Sequence, residues 1–475
     1  MTFSQGSLFI FQFGGSVILA RLLTPYEMGV YAVAMAITGV LSAIQAFGLV
    51  GFVVREHEMT EDLLASAFTI NAALALVLSA AVFGLSTFGG QFLREAGVQS
   101  VMRILALLPL VGIVEFLPAA NVEREGRFKS IALITVVRTV AVTCCTVSLA
   151  FAGFSYMSLA YGTLAGAIVS AASFSIVGRR HVRLRLSIAE WQRITRFGVQ
   201  MLAISGITTI STRTAEFVLG RLLGLGALGL YSRASNLNNL LWDNVHMVIG
   251  RVVFVDFAEQ KRRGFSLRDH YLRTVEIVTA LLWPAFAGFA TLAGPLILTV
   301  YGPKWIGAAR PLAMLSLAAI VLVAITMTWE VFVVCEKTGQ QARFEFIRAT
   351  VGLFLFLGGS FVSLTAAAAA KIGEALFSVV LYRPHLDRMT DTRTADIVPL
   401  YLRSAGLTAL AVGPSVSVMT LYHWSVQTPL SYLFSAVGIG VVAWFVGLKL
   451  MNHPIFDEIA QRLPSRKRAG ADTAV

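Results

Sequence analysis

Polar punctuation cuts this chain into fourteen apolar runs, each close to the roughly 20 helical residues that cross a hydrocarbon core of about 30 Å. The first six lie near residues 3 to 23, 28 to 53, 63 to 88, 100 to 120, 130 to 152 and 155 to 178. After a basic segment, six more lie near 197 to 223, 229 to 254, 274 to 300, 308 to 335, 343 to 364 and 366 to 383, with a last pair near 402 to 422 and 428 to 450. Water cannot solvate such a chain. Its 475 residues are 56% apolar and 13% charged, where about a quarter of a soluble globule would be charged. The expected fold is an all-α integral membrane protein of about 14 transmembrane helices.

Charge tests this count independently, because a wrong number of helices would scramble the alternation of basic and non-basic loops. With the N-terminus placed in the cytoplasm, the inside loops and tail hold 28 of the 38 Lys and Arg residues, and the outside loops hold seven. Both termini are therefore expected to be cytoplasmic. The net charge of +12 is explained by these loops, and no nucleic-acid partner is expected. The clusters Lys261-Arg262-Arg263 and Arg466-Lys467-Arg468 suit anionic membrane lipid. Cys144, Cys145 and Cys335 have no metal-site spacing. No small-residue cleavage pattern follows the first run, so helix one should remain in the mature protein.

Residues 18 to 31, ILARLLTPYEMGVY, and 218 to 231, VLGRLLGLGALGLY, agree at Leu19/Leu219, Arg21/Arg221, Leu22/Leu222, Leu23/Leu223, Gly29/Gly229 and Tyr31/Tyr231. Two apolar helix ends would share leucines by chance, but an Arg, a Gly and a Tyr in register point to an internal repeat. A six-helix unit returns to the side on which it began, so its copy keeps the same topology. Two such lobes are related by an axis along the membrane normal, with a substrate path expected between them.

The strings LARLLTPYEMGVYAVA, GRLLGLGALGLYSRASNLNNLLW and VYGPKWIGAARPLAMLSLAA resemble the oligosaccharide flippases of the polysaccharide transporter family. That family belongs to the multidrug/oligosaccharidyl-lipid/polysaccharide exporter superfamily. The resemblance runs in family order over nearly the whole chain. It implies two pseudo-symmetric six-helix lobes plus two C-terminal helices, and a central cavity lined mainly by helices one, two, seven and eight. The expected division is an N-terminal lobe 1–178, a basic cytoplasmic linker 179–196, a C-terminal lobe 197–384, an accessory pair 385–450 and a cytoplasmic tail 451–475. The implied cargo is a lipid-linked oligosaccharide, a polyprenyl-pyrophosphate-linked repeat unit for exopolysaccharide, capsule or O-antigen (lipopolysaccharide) synthesis at the cell inner membrane. A periplasmic polymerase and a chain-length regulator are its implied partners. Family members usually carry a longer N-terminal segment, which leads us to expect a start codon upstream of Met1.

An ionisable side chain near the bilayer centre costs about 2.5–3.5 kcal/mol on insertion scales and needs a partner or a wet cavity. Helices seven and eight hold several. Glu216 and Arg221 fall within roughly 80° of Arg213 around helix seven, and Arg233, Asn236 and Asp243 share a similar arc on helix eight, with Leu237, Leu241 and Trp242 nearby. If both stripes face the cavity, Arg213, Arg221 and Arg233 bind the diphosphate and Asn236 contacts sugar hydroxyls. A guanidinium suits phosphate because its planar fork offers several donors and stays charged. The bland alternative is that Arg213 pairs with Glu216, and Arg233 with Asp243 or Asn236, merely to make the bundle insertable. Arg21 and Arg221 end their helices on the outer side, where snorkelling and a role in closing an outer gate weigh equally. Gly14, Gly15, Gly39, Gly48 and Gly51 suit close helix approach. Trp283-Pro284 should kink helix nine.

No P-loop, HExxH or nucleophile elbow occurs in the sequence, and the seven histidines are scattered without metal-ligand spacing, so neither an enzyme nor a cofactor is expected. The energy source then falls to an unidentified coupling ion, the membrane potential or withdrawal of the product. A cation-coupled multidrug exporter and a lipid II flippase of the same superfamily remain the alternatives. Helices one and two lack the interior acid that a drug exporter's pocket favours. A membrane-embedded glycosyltransferase or polymerase would need long outside loops, and these are short.

Overall fold

The computed structural model describes residues 2–45, 49–55, 60–93, 95–178 and 186–456. Among these there is no strand: the chain is helical, with α1 Thr2–Leu22, α2 Pro25–Gln45, α3 Leu49–Arg55, α4 Glu61–Leu93, α5 Ala96–Leu105, α6 Leu108–Arg124, α7 Phe128–Phe151, α8 Met157–Val177, α9 Trp191–Leu223, α10 Leu225–Arg262, α11 Arg268–Val300, α12 Ala309–Val323, α13 Thr328–Val334, α14 Thr338–Ser360, α15 Leu364–Thr390, α16 Thr394–Leu421 and α17 Leu430–Leu450. Nine stretches of the described residues are helical, long and apolar enough to cross a membrane. Their outward faces are apolar, with Val77, Leu133, Val380 and Phe434 all exposed. A surface of that kind is solvated by lipid, and the chain is a multi-pass membrane protein.

More helices are present than expected runs because some runs are broken. The run near 100 to 120 is α5 followed by α6, which resume around Ala106 and Leu107 just before Pro109, whose ring supplies no amide to a continuing ladder. The run near 308 to 335 is α12 and α13. Between them, the amides of Ala324, Ile325 and Thr326 each bond three residues back, and Met327 takes the left-handed region at φ 60° before α13 starts. By contrast, α11 is helical through both Pro284 and Pro295. The expected span near 28 to 53 is α2 and α3, and Gly48 between them lies outside the described residues, as do 179–185 of the expected linker and 457–475 of the expected tail.

The chain forms two compact units. The first holds residues 1–232, 300–305 and 349–364, and the second holds 233–299, 306–348 and 365–475, so the boundary falls within α10. In the first unit α7 packs along α8 and α1, α6 along α8, and α2 along both α9 and α5. In the second, a core built on Tyr271, Phe286, Val323, Phe332 and Leu386 joins α10, α11, α12, α13 and α15. The last two helices pack on one another and dock on α11. The Trp444 indole donates to the Ala280 carbonyl at 3.0 Å, and Thr279 and Ser404 share a hydrogen bond of 2.8 Å.

Candidate substrate site

The two copies of the repeat meet where α2 and α10 begin. In α2, Thr24 and Glu27 form a capping box: the Thr24 amide donates to Glu27 Oε2 at 2.7 Å and the Glu27 amide to Thr24 Oγ1 at 3.3 Å, two orphan donors satisfied reciprocally. Two residues after Glu27, a Cβ placed on Gly29 would lie 1.8 Å from the Leu225 carbonyl oxygen, and one placed on Gly229 would lie 1.9 Å from that of Pro25. Each glycine thus receives the backbone of the other copy, residue 29 against 225 and 229 against 25. Neither contact tolerates a side chain.

Arg21, at the end of α1, lies along the turn 300–305, where Gly302 has φ 95° and an added Cβ would come 3.6 Å from Arg21 Nη1. The buried Trp305 indole donates to the Ala20 carbonyl at 2.7 Å, satisfying an orphan acceptor in the last turn of α1. Its repeat mate Arg221 is exposed on α9. Deeper in α9, Arg213 Nη1 donates to Glu216 Oε2 at 2.9 Å with the two side chains 33% and 21% exposed, so the expected pairing of these two is present. Gly39 on α2 makes room for it, since a Cβ there would stand 2.8 Å from Arg213 Nε. Tyr31 closes this part of the site by sharing a 2.7 Å hydrogen bond with Thr163 on α8.

Arg233, Asn236 and Asp243 belong to the second unit. Arg233 is 4% exposed, whereas Asn236 and Asp243 are exposed. The charged group acting on Asp243 is His246, one turn along. His246 lies flat on Trp242, with ring centroids 5.4 Å apart and planes 11° from parallel, and its Nε2 is 3.6 Å from Glu330 Oε1 on α13. Behind α10, Ser316 donates to Asn238 Oδ1 at 3.2 Å. A groove of about 440 Å³ between α11, α16 and α17 is lined by Leu281, Phe289, Leu296, Val412, Val441 and Trp444 and presents almost wholly apolar groups.

Two groups were not singled out by sequence. Glu330 sits in an otherwise apolar run, so the cost of a buried acid was the available signal. Arg348 donates to Glu374 Oε1 at 2.5 Å and also bonds Glu345, with Lys371 Nζ 2.7 Å from Glu374 Oε2. These four charges were divided among different loops and spans by hydropathy, and only packing of α14 on α15 brings them together.

The chain is a helical membrane protein with basic and acidic side chains inside several of its helices. Residues 18–310, more than half of the chain, match the model of the polysaccharide biosynthesis protein family, and the chain belongs to that family. It is 27% identical over 290 residues to the lipopolysaccharide biosynthesis protein WzxC of Escherichia coli (strain K12), covering 61% of this chain and 59% of that one. It is 26% identical over 302 residues to the succinoglycan biosynthesis transport protein ExoT of Rhizobium meliloti (strain 1021), covering 63% and 61%. The chain thus spans about three-fifths of the length of these curated relatives. Its fold is like that of the lipid II flippase MurJ in an inward closed conformation, with a TM-score of 0.77 at 12% identity over 97% of this chain and 99% of that one.

Proposed function

We propose that the chain is a flippase that carries polyprenyl-pyrophosphate-linked oligosaccharide repeat units across the inner membrane for surface polysaccharide synthesis, by alternating access. The observation that carries this is the family match over residues 18–310, because that segment contains Arg21, Arg213, Glu216, Arg221, Arg233, Asn236 and Asp243. The names of two relatives, one from lipopolysaccharide and one from succinoglycan synthesis, support surface polysaccharide as the destination. The protein binds and moves its cargo without making or breaking a covalent bond, and so is not an enzyme.

In this mechanism both termini are cytoplasmic and about 14 helices cross the membrane as two six-helix lobes, 1–178 and 197–384, with an accessory pair at 385–450. Arg213, held by Glu216 when empty, turns donors to the incoming pyrophosphate, so the guanidinium keeps a charge-assisted hydrogen bond in both states. Arg221 and Arg233 add donors, Asn236 and Asp243 meet sugar hydroxyls, and Arg21 helps close the outer side. The polyprenyl chain stays in lipid, where the groove between α11, α16 and α17 offers it an apolar seat. A periplasmic polymerase and a chain-length regulator consume the product.

Deleting the gene and quantifying surface polymer together with lipid-linked repeat units tests this. Loss of polymer with intact units trapped at the cytoplasmic face is the expected result. Unchanged polymer with nothing trapped would overturn it and favour a drug exporter or a lipid II flippase.

A further inference from the structure

Glu330 is the most awkwardly placed acid described in the second unit. It lies in the first turn of α13 with its side chain 3% exposed, and its Oε2 is buried without a hydrogen-bond partner among the described residues. The charged group that acts on it is His246 on α10, whose Nε2 stands 3.6 Å from Oε1, too far for a direct hydrogen bond. His246 Nδ1 is likewise buried without a partner. Residue 250 is glycine where the carboxylate approaches α10, and a Cβ there would stand a tight 3.0 Å from Glu330 Oε1. The α12–α13 break, ending on left-handed Met327, sets Glu330 three residues into a new helix.

Among the described residues, Asp243 stands one turn before His246 on α10 and interacts with it. The core that α11, α12, α15 and α16 build with α13 gathers Val275, Val278, Val323, Phe332, Leu386 and Ile397, with Glu276 and Arg383 buried on the same α11 and α15. Of the phenols in this core, Tyr382 donates to Glu345 at 3.1 Å, while Tyr271, its ring under Arg383, keeps a buried hydroxyl without a hydrogen-bond partner among the described residues. A buried carboxylate beside an imidazole is favoured as an ion while a proton on the imidazole faces it, and as an acid when it holds the proton itself. His246 is 36% exposed, so one member of the pair reaches the outside and the other does not. A separate groove of about 530 Å³, with Phe254, Ala258, Lys261, Arg262, Val333 and Glu336 in its lining, lies two turns further along α10. One carboxylate and one imidazole are far from the cage of oxygens that a hard cation takes. No group of three or more metal-ligating side chains occurs among the described residues.

We propose that His246 and Glu330 form a proton-binding site, loaded through the imidazole and closed by the buried carboxylate, which couples a proton to the transport cycle. The coupling, though not the binding, rests on the transport function proposed above.

Trp242 stacked on His246 supplies a direct probe, because an imidazolium against an indole quenches its fluorescence. The purified chain in nanodiscs of phosphatidylethanolamine and phosphatidylglycerol is titrated from pH 5 to 9, and the Trp242 signal is taken as the difference between wild type and Trp242→Phe. The expected result is a single one-proton transition, moved by at least tenfold in proton affinity by Glu330→Gln and abolished by His246→Gln, with no response to sodium at fixed pH. A Trp242 signal flat over this range, a transition left in place by both variants, or a sodium-dependent transition at fixed pH would overturn the proposal. Gel filtration confirms that each variant is folded, and the wild-type titration and His246→Gln decide the matter should Glu330→Gln fail that check. Polymer export by Glu330→Gln, expected to fall at least tenfold at matched membrane levels, reads the coupling. If deletion traps no lipid-linked units, the flippase function fails while the fluorescence titration still stands or falls alone.

Discussion

Arg213 shows how a charge is kept inside a helix that the membrane would otherwise reject. Glu216 balances it at 2.9 Å, and Gly39 on the neighbouring helix clears the space its guanidinium occupies. Arg213→Ala is expected to abolish polymer export with the protein still inserted. Gly39→Val should reproduce most of that loss, because the new side chain takes the place of Arg213 Nε, and export assayed at matched membrane levels checks both. The pair and its stripe were legible from the spacing of residues 213, 216 and 221, and so was the value of a small residue at position 39. That Gly39 serves Arg213 was not, since nothing in a sequence pairs one helix face with another. Arg348 belongs to the same scale. It lies between Glu345 and Glu374, and removing it leaves two carboxylates in a mostly buried site, so Arg348→Ala should cost about 3–5 kcal/mol, measured by thermal unfolding in detergent.

Elements end where their hydrogen bonds can be handed on. Hydropathy places the runs, yet the breaks at 106–107 and 324–327 are set by Pro109 and by the left-handed turn at Met327, neither of which interrupts the apolar pattern. Pro284, where a kink was expected, and Pro295 both lie within α11 without ending it. The turn after α17 carries a pH dependence of its own. His453 is almost fully buried beside Arg403 and Glu276; burial, with the nearby Arg403, pushes its pKa down from the ordinary 6.5 to about 4. The folded turn therefore binds fewer protons than the open one between those values. Its stability is complete above about pH 6.5 and is lost as pH falls toward 4, by up to about tenfold in the closed-to-open ratio per pH unit. Hydrogen exchange of residues 451–456 should speed up accordingly in wild type, and His453→Asn should remove the dependence.

For the whole molecule, the repeat read from six identities has a physical counterpart in the paired approach of Gly29 to Leu225 and Gly229 to Pro25. Gly29→Ala and Gly229→Ala are each expected to destabilise by about 1–3 kcal/mol through overpacking, with a lowered melting temperature as the measure. Membrane class and family were open to reading because lipid imposes run length and charge bias directly on sequence. The His246–Glu330 approach depends on a break between α12 and α13 that no periodicity announces. The reciprocal glycine contact has the form of an isologous interface, the kind a two-fold dimer makes when one patch meets its own copy. A shorter ancestral chain could have built it from a single glycine used twice. Joined in one polypeptide, the two halves mutate separately, and because a Cβ on Gly229 would also stand 3.1 Å from the Gly29 amide nitrogen, a change on one side turns the whole symmetric joint into a lopsided one.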